Sequence, residues 1–143
     1  MAVAHPSQPN YVASVGGSTH GITSDSFSRI GSSVETIVDL LEAKGVSWSE
    51  YQEDSPYSGF EGNYVNQKTG ANDYVRKHKY VPCLFLCKQK LTETNSPLVS
   101  YDSITSNLDR LAKIKNFTMF DNDLKNNKLP QWIWITPNMS ELF

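Results

Sequence analysis

The residues best suited to chemistry sit together near the start of the chain, in His5-Pro6-Ser7-Gln8-Pro9-Asn10-Tyr11. Ser7 stands where a helix would begin. Pro9 has its φ preset for a first turn and lacks an N–H that a first turn leaves unpaired. The run through Tyr11, Val12 and Val15 to Gly16-Gly17 then reads as a short helix closed by glycine. A hydroxyl at a helix N-terminus lies beside free backbone N–H groups and the positive end of the helix dipole, which together favour an anion. A phosphate could rest there beside a hydroxyl able to attack it, and Asn10, one turn on, carries an amide able to donate to a phosphoryl oxygen. The same serine also fits an ordinary N-cap with no catalytic part. Local chemistry leaves both readings open.

Around these residues, His-Pro-Ser-Gln-Pro-Asn-Tyr followed by Ala13-Ser-Val-Gly-Gly resembles the nucleophile segment of a metal-dependent phosphoesterase family. That family contains fungal secreted acid phosphatases and bacterial phospholipases C and belongs to the alkaline phosphatase superfamily. In related phosphodiesterases a nucleophilic Thr precedes Pro-Asn-His by one residue, and Ser7 before Gln8 and Pro9-Asn10-Tyr11 takes the same place. Val38-Asp-Leu-Leu-Glu-Ala-Lys-Gly-Val-Ser-Trp and Tyr51-Gln-Glu-Asp are similar to the fungal group as well.

The resemblance implies a hydrolase of phosphate ester bonds, acid phosphatase-like, working through a phosphoserine intermediate. Ser7 would be the nucleophile and also a ligand of a divalent metal ion of unknown identity, and Asn10 would stabilise charge on the phosphoryl oxygens. The expected partner is a phosphate ester substrate, and the expected location is extracellular. The implied fold is α/β, a partial three-layer α/β/α sandwich of the alkaline phosphatase type. Residues 1–143 would form a single, incomplete phosphoesterase domain. The family's Glu-Asn segment upstream and its Asn-Asp-x-His-Asp-like run after Thr136-Pro-Asn-Met139 supply metal ligands, and neither is found here. The alternative expectation is therefore a non-catalytic remnant with at most weak anion binding.

The elements that must position Ser7 are legible in the hydrophobic pattern. Ser32 and Glu35 are spaced as a capping box, with Val34, Ile37, Val38 and Leu41 on one helical face and Gly45 as the stop. Val46-Ser-Trp-Ser-Glu-Tyr alternates as a strand does. A helix is expected over Ser103–Lys115, burying Ile104, Leu108, Leu111 and Ala112, and a second, capped by Thr118 and Asp121, to about Asn127. Trp132-Ile-Trp-Ile135 is a continuous apolar run, expected as a parallel strand buried on both faces, with Thr136 onward directed toward the site.

Between these elements, Ser18 to Ser28 is a polar loop in which His20 and Asp25 receive no role. Residues 55–78 read as a long loop near the active site, in which Lys68, Arg76 and His78 are candidate phosphate contacts. Lys79 through Asn95 interrupts the resemblance and is expected to be an insert foreign to the family, of a length that suits a short intron read in frame. Both cysteines, Cys83 and Cys87, lie inside it and match no zinc or disulfide framework.

Composition narrows the class. Thirteen Lys and Arg against fifteen Asp and Glu give a net charge of −2, which offers no footprint for nucleic acid. No run approaches the ~20 apolar residues of a membrane span, and Met1-Ala-Val-Ala is too short for a signal peptide. Two sequons, Asn116-Phe-Thr118 and Asn138-Met-Ser140, suit a secreted chain.

Overall fold

The computed structural model describes residues 2–53, 55–62, 64–65, 72–74 and 96–137. The insert with its two cysteines, the candidate contacts Lys68, Arg76 and His78, and the second sequon lie outside the described residues.

Three strands form a parallel sheet in the order β4-β1-β5, where β1 is Trp48–Gln52, β4 is Ile114–Asn116 and β5 is Trp132–Thr136. The central strand pairs Glu50 with Ile114 on one side and with Trp134 on the other. Alternation along β1 divides its side chains between two faces. Trp48 joins the apolar core with Val12, Val15, Val38, Leu98 and Ile104. Tyr51, on the other face, donates its hydroxyl to Asp123 at 2.7 Å and meets the edge of Phe120, both on helix α5 (Phe117–Lys125). Burial, and then the bond to the Asp123 carboxylate, raises the Tyr51 phenol above its ordinary range.

Several expectations need correction. The capping box forms one turn later than Ser32 and Glu35 suggest. Helix α2 is Ile37–Ala43, its cap is Thr36, and Asp39 returns a bond to the Thr36 N–H at 2.7 Å. Two Ser/Thr-x-x-acid spacings follow one another here, 32–35 and 36–39, and the one that satisfies donors on both sides sets the helix start. The helix expected over Ser103–Lys115 is two short turns, α3 (Asp102–Thr105) and α4 (Leu108–Leu111), followed by β4. Asn107 ends the first and caps the second through bonds from the N–H groups of Asp109 and Arg110. Leu108 and Ala112, assigned to the buried face, are exposed. Asn116, rather than Thr118, caps α5 by accepting from the Met119 N–H at 3.1 Å.

The strand β5 is parallel as expected, but it lies at the sheet edge among the described residues and Ile135 is 46% exposed. The half-buried β1 pattern also misleads, because all five of its residues are buried, Glu50 and Gln52 included. A central parallel strand is covered on both faces, so its polar positions are enclosed along with the apolar ones. Within the long loop, β2 (Tyr64–Val65) and β3 (Asn72–Tyr74) pair antiparallel.

The loop after helix α1 (Ser7–Gly16) returns through Ile30, which bridges the short helical turn η1 (Leu98–Ser100) and its exit. The Ile30 N–H donates to the Ser100 carbonyl at 2.8 Å, and the Asp102 N–H donates to the Ile30 carbonyl at 2.9 Å. Arg110 ties α4 to α2 through Asp39 and Glu42 and also donates to the Ser103 carbonyl.

Candidate active site

Helix α1 runs from Ser7 to Gly16 and is closed by Gly17 in the left-handed region at φ 74°, as the glycine pair foretells. Its beginning differs from the expectation in one respect that bears on function. The cap position is Pro6, which follows a cis peptide bond from His5, and no side chain caps the helix from there. Ser7 is the first helical residue. Its hydroxyl is half-buried and makes no hydrogen bond among the described residues. The N-cap reading of Ser7 is therefore set aside.

The cap is supplied from elsewhere. Asp25, in the polar loop, accepts from the Gln8 N–H at 3.0 Å, bringing a carboxylate to the positive end of the helix. Of the first three helical residues Pro9 has no N–H and that of Gln8 is taken, which leaves the N–H of Ser7. The anion cradle is thus narrower than the helix alone would provide, and part of it is already filled by Asp25. No local signal in Thr23-Ser-Asp-Ser marks this role, since the contact spans a loop and depends on its path. Replacing Asp25 by Ala should lower stability by about 1 kcal/mol, with Asn retaining most of it because an acceptor oxygen remains. Urea denaturation of the two variants measures the difference.

Asn10 lies one turn after Ser7, and its amide is fully used by the preceding segment. Its Oδ1 accepts from the N–H groups of Val3 at 2.7 Å and Ala4 at 3.1 Å, while Nδ2 donates to the carbonyls of Ala4 at 2.8 Å and Pro6 at 3.0 Å. In this arrangement Asn10 folds residues 3–6 back over the helix start.

The far side of α1 is pinned by η1. Gln8 donates from Nε2 to the Ser100 hydroxyl at 3.1 Å in a buried contact, and Tyr101 donates its hydroxyl to the Val12 carbonyl at 2.8 Å. Burial pushes the Tyr101 phenol up to about 12. Tyr101 also comes so close to Gly16 that an added Cβ would overlap its hydroxyl, so that position must be glycine. His20 packs its ring edge-on to Tyr101, 6.0 Å between centroids, at the C-terminal end of α1. Ten residues at ~1.5 Å each put that end about 14 Å from Ser7. His20 is thus not brought to Ser7, whereas Asp25 is.

The ligand set required for a metal on Ser7 does not assemble here. Among the described residues no group of three or more His, Cys, Asp or Glu converges. A divalent ion at Ser7 would have to draw its carboxylates and imidazoles from outside them, and the residues present do not fit one by themselves.

A parallel sheet flanked by helices, with a free serine opening the first of them, defines an α/β protein built around one polar helix end. The chain belongs to the Phosphoesterase family, whose match covers residues 1–142. It is 53% identical over 140 residues to an acid phosphatase of Aspergillus fumigatus, covering 97% of this chain and 28% of that protein. A probable acid phosphatase of Kluyveromyces lactis is 50% identical, with 97% of this chain and 29% of the relative covered. A phosphate-repressible acid phosphatase of Penicillium chrysogenum is 47% identical, with 98% and 30% covered. The chain spans less than a third of the length of these relatives. No solved structure matches it.

Proposed function

We propose that this chain carries the nucleophile of an acid phosphatase-like phosphoric ester hydrolase, and that the nucleophile is Ser7. The observation that carries this reading is the Ser7 hydroxyl itself, placed at the first helical position and free of the capping bond that would explain it structurally. In the proposed reaction Ser7 Oγ attacks phosphorus, a Ser–O–P bond forms and the ester P–O bond breaks. The alcohol leaves with a proton, and water then hydrolyses the phosphoserine to inorganic phosphate. The dipole of α1 and the Ser7 N–H favour the added negative charge. Asn10 holds the segment ahead of Ser7. Its proposed donation to a phosphoryl oxygen requires one of its bonds to Ala4 or Pro6 to exchange.

The divalent ion and the extracellular setting are parts of the same proposal. So is completion of the α/β/α sandwich, for which the two differently packed faces of β1 are the support. The alternative, anion binding without turnover, is favoured by the lack of a ligand cluster among the described residues. Acid quenching during turnover of a phosphate monoester, followed by mass spectrometry of the peptide containing Ser7, separates the two. A phosphoryl group on Ser7 is the expected result. Turnover with that peptide unmodified at every quench time would overturn the nucleophile assignment.

A further inference from the structure

Away from Ser7, the central strand carries a polar pair whose chemistry the phosphatase reading does not use. Glu50 and Gln52 project from the same face of β1, and both are completely buried. Gln52 Nε2 donates to Glu50 Oε1 in a close contact, and also to Thr136 Oγ1 on β5 at 3.0 Å. Their other oxygens, Glu50 Oε2 and Gln52 Oε1, have no hydrogen-bond partner among the described residues. Each is the geminal neighbour of an atom in the Gln52–Glu50 contact. Ser96 and Leu98 lie against the Glu50 carboxyl, and none of the described residues sets a positive group beside it.

Buried carboxylates are ordinarily paired with a cation, bound to a metal or kept neutral, and buried acceptors left without donors are costly. Here two acceptor oxygens accompany a carboxyl that, once ionised, has no counter-charge among the described residues. We propose that Glu50 Oε2 and Gln52 Oε1 are ligands of a monovalent alkali cation, Na+ or K+, with water completing its shell. Hard oxygen donors suit such an ion, and the charge count selects its valence. A single carboxylate neutralises one positive charge, whereas a divalent ion would leave net charge in an enclosed site. The cation would hold β1 against η1 through Ser96 and Leu98, the same turn whose Ser100 receives Gln8 beside Ser7.

The test compares thermal unfolding of the chain in NaCl, in KCl and in tetramethylammonium chloride at equal ionic strength. Tetramethylammonium is too large to be bound by the two oxygens. Because the ligand must be deprotonated, the comparison is made at about pH 9 and again at about pH 5. The expected result is a midpoint about 3 °C or more higher in Na+ or K+ at the upper pH, with a smaller difference at the lower. Glu50→Gln, which removes the charge and keeps the shape, should abolish the difference between salts. Equal midpoints of the unmodified chain in all three salts at the upper pH would overturn the proposal without recourse to any variant. So would persistence of the salt effect in Glu50→Gln, or stabilisation by MgCl2 or CaCl2 alone.

Discussion

Replacing Ser7 by Ala should lower phosphate ester hydrolysis by at least about a thousandfold in the protein that carries this chain, while leaving its stability within about 0.5 kcal/mol. The two halves of this result follow from one observation. A nucleophile that forms the covalent intermediate has no substitute, so its loss removes the covalent route and leaves only what binding and the helix dipole can do. A serine that capped the helix would instead cost about 1 kcal/mol on truncation. Ser7 makes no capping bond, because Pro6 holds the cap position and Asp25 takes the Gln8 N–H. Steady-state kinetics with a phosphate monoester, paired with urea denaturation, reads both quantities on the same preparation. A loss of activity accompanied by a matching loss of stability would return Ser7 to a structural part. Turnover within tenfold of the unmodified protein would remove it from the chemistry altogether.

What could be read from the sequence, and what could not, divides along the range of the interactions involved. The helix from Ser7 to Gly16 with its glycine stop and the parallel character of β5 rest on local rules, and those rules sufficed. The approach of Asp25 to Gln8 did not follow from any pattern, because the contact closes a loop of seventeen residues. The helix expected across Ser103–Lys115 failed because its periodicity continued through Asn107, whose side chain prefers to cap rather than to continue a helix. Tertiary pairing with β1 then claims Ile114–Asn116 as a strand. Asn10 was legible as a polar residue one turn past Ser7, but the destination of its amide was not. Four backbone groups in residues 3–6 compete for it, and their placement depends on how the chain enters the helix. Glu50 received no assignment from the sequence, although alternation sets it on the Trp48 face of β1. Strands on both sides and η1 above bury it.

That burial leads to the second large effect, a stability that falls as the solution becomes more alkaline. Burial raises the Glu50 carboxyl from 4.5 to about 8, against the opposing pull of bonds from Ser96, Gln52 and Leu98. In the unfolded chain the group ionises near its ordinary value, so between these two points the folded state holds a proton that the unfolded state has lost. Stability from this group is therefore complete below about pH 4.5 and is lost as pH rises toward about 8. A displacement of this size corresponds to roughly 5 kcal/mol over the whole window, an order-of-magnitude figure.

Three other carboxylates act in the opposite sense. Asp39 and Glu42 are raised by burial, but this is outweighed by bonds from Thr36 and Arg110 to the first and from Trp48, Lys113 and Arg110 to the second, so both end below their ordinary values. Asp123 is lowered chiefly by Lys115, which donates to it at 2.6 Å. What these three contribute is present at neutral pH and lost as pH falls through their depressed folded values. The two trends place the maximum of stability on the acid side of neutrality, near about pH 5. Urea midpoints measured from acid to alkaline pH, with tetramethylammonium as the supporting cation, should show the decline above that maximum, and Glu50→Gln should flatten the alkaline limb while leaving the acid limb in place. A curve that is level or rising from about pH 5 to about pH 8 would mean that Glu50 ionises without penalty in the folded chain, and the enclosed environment assigned to it would then be wrong.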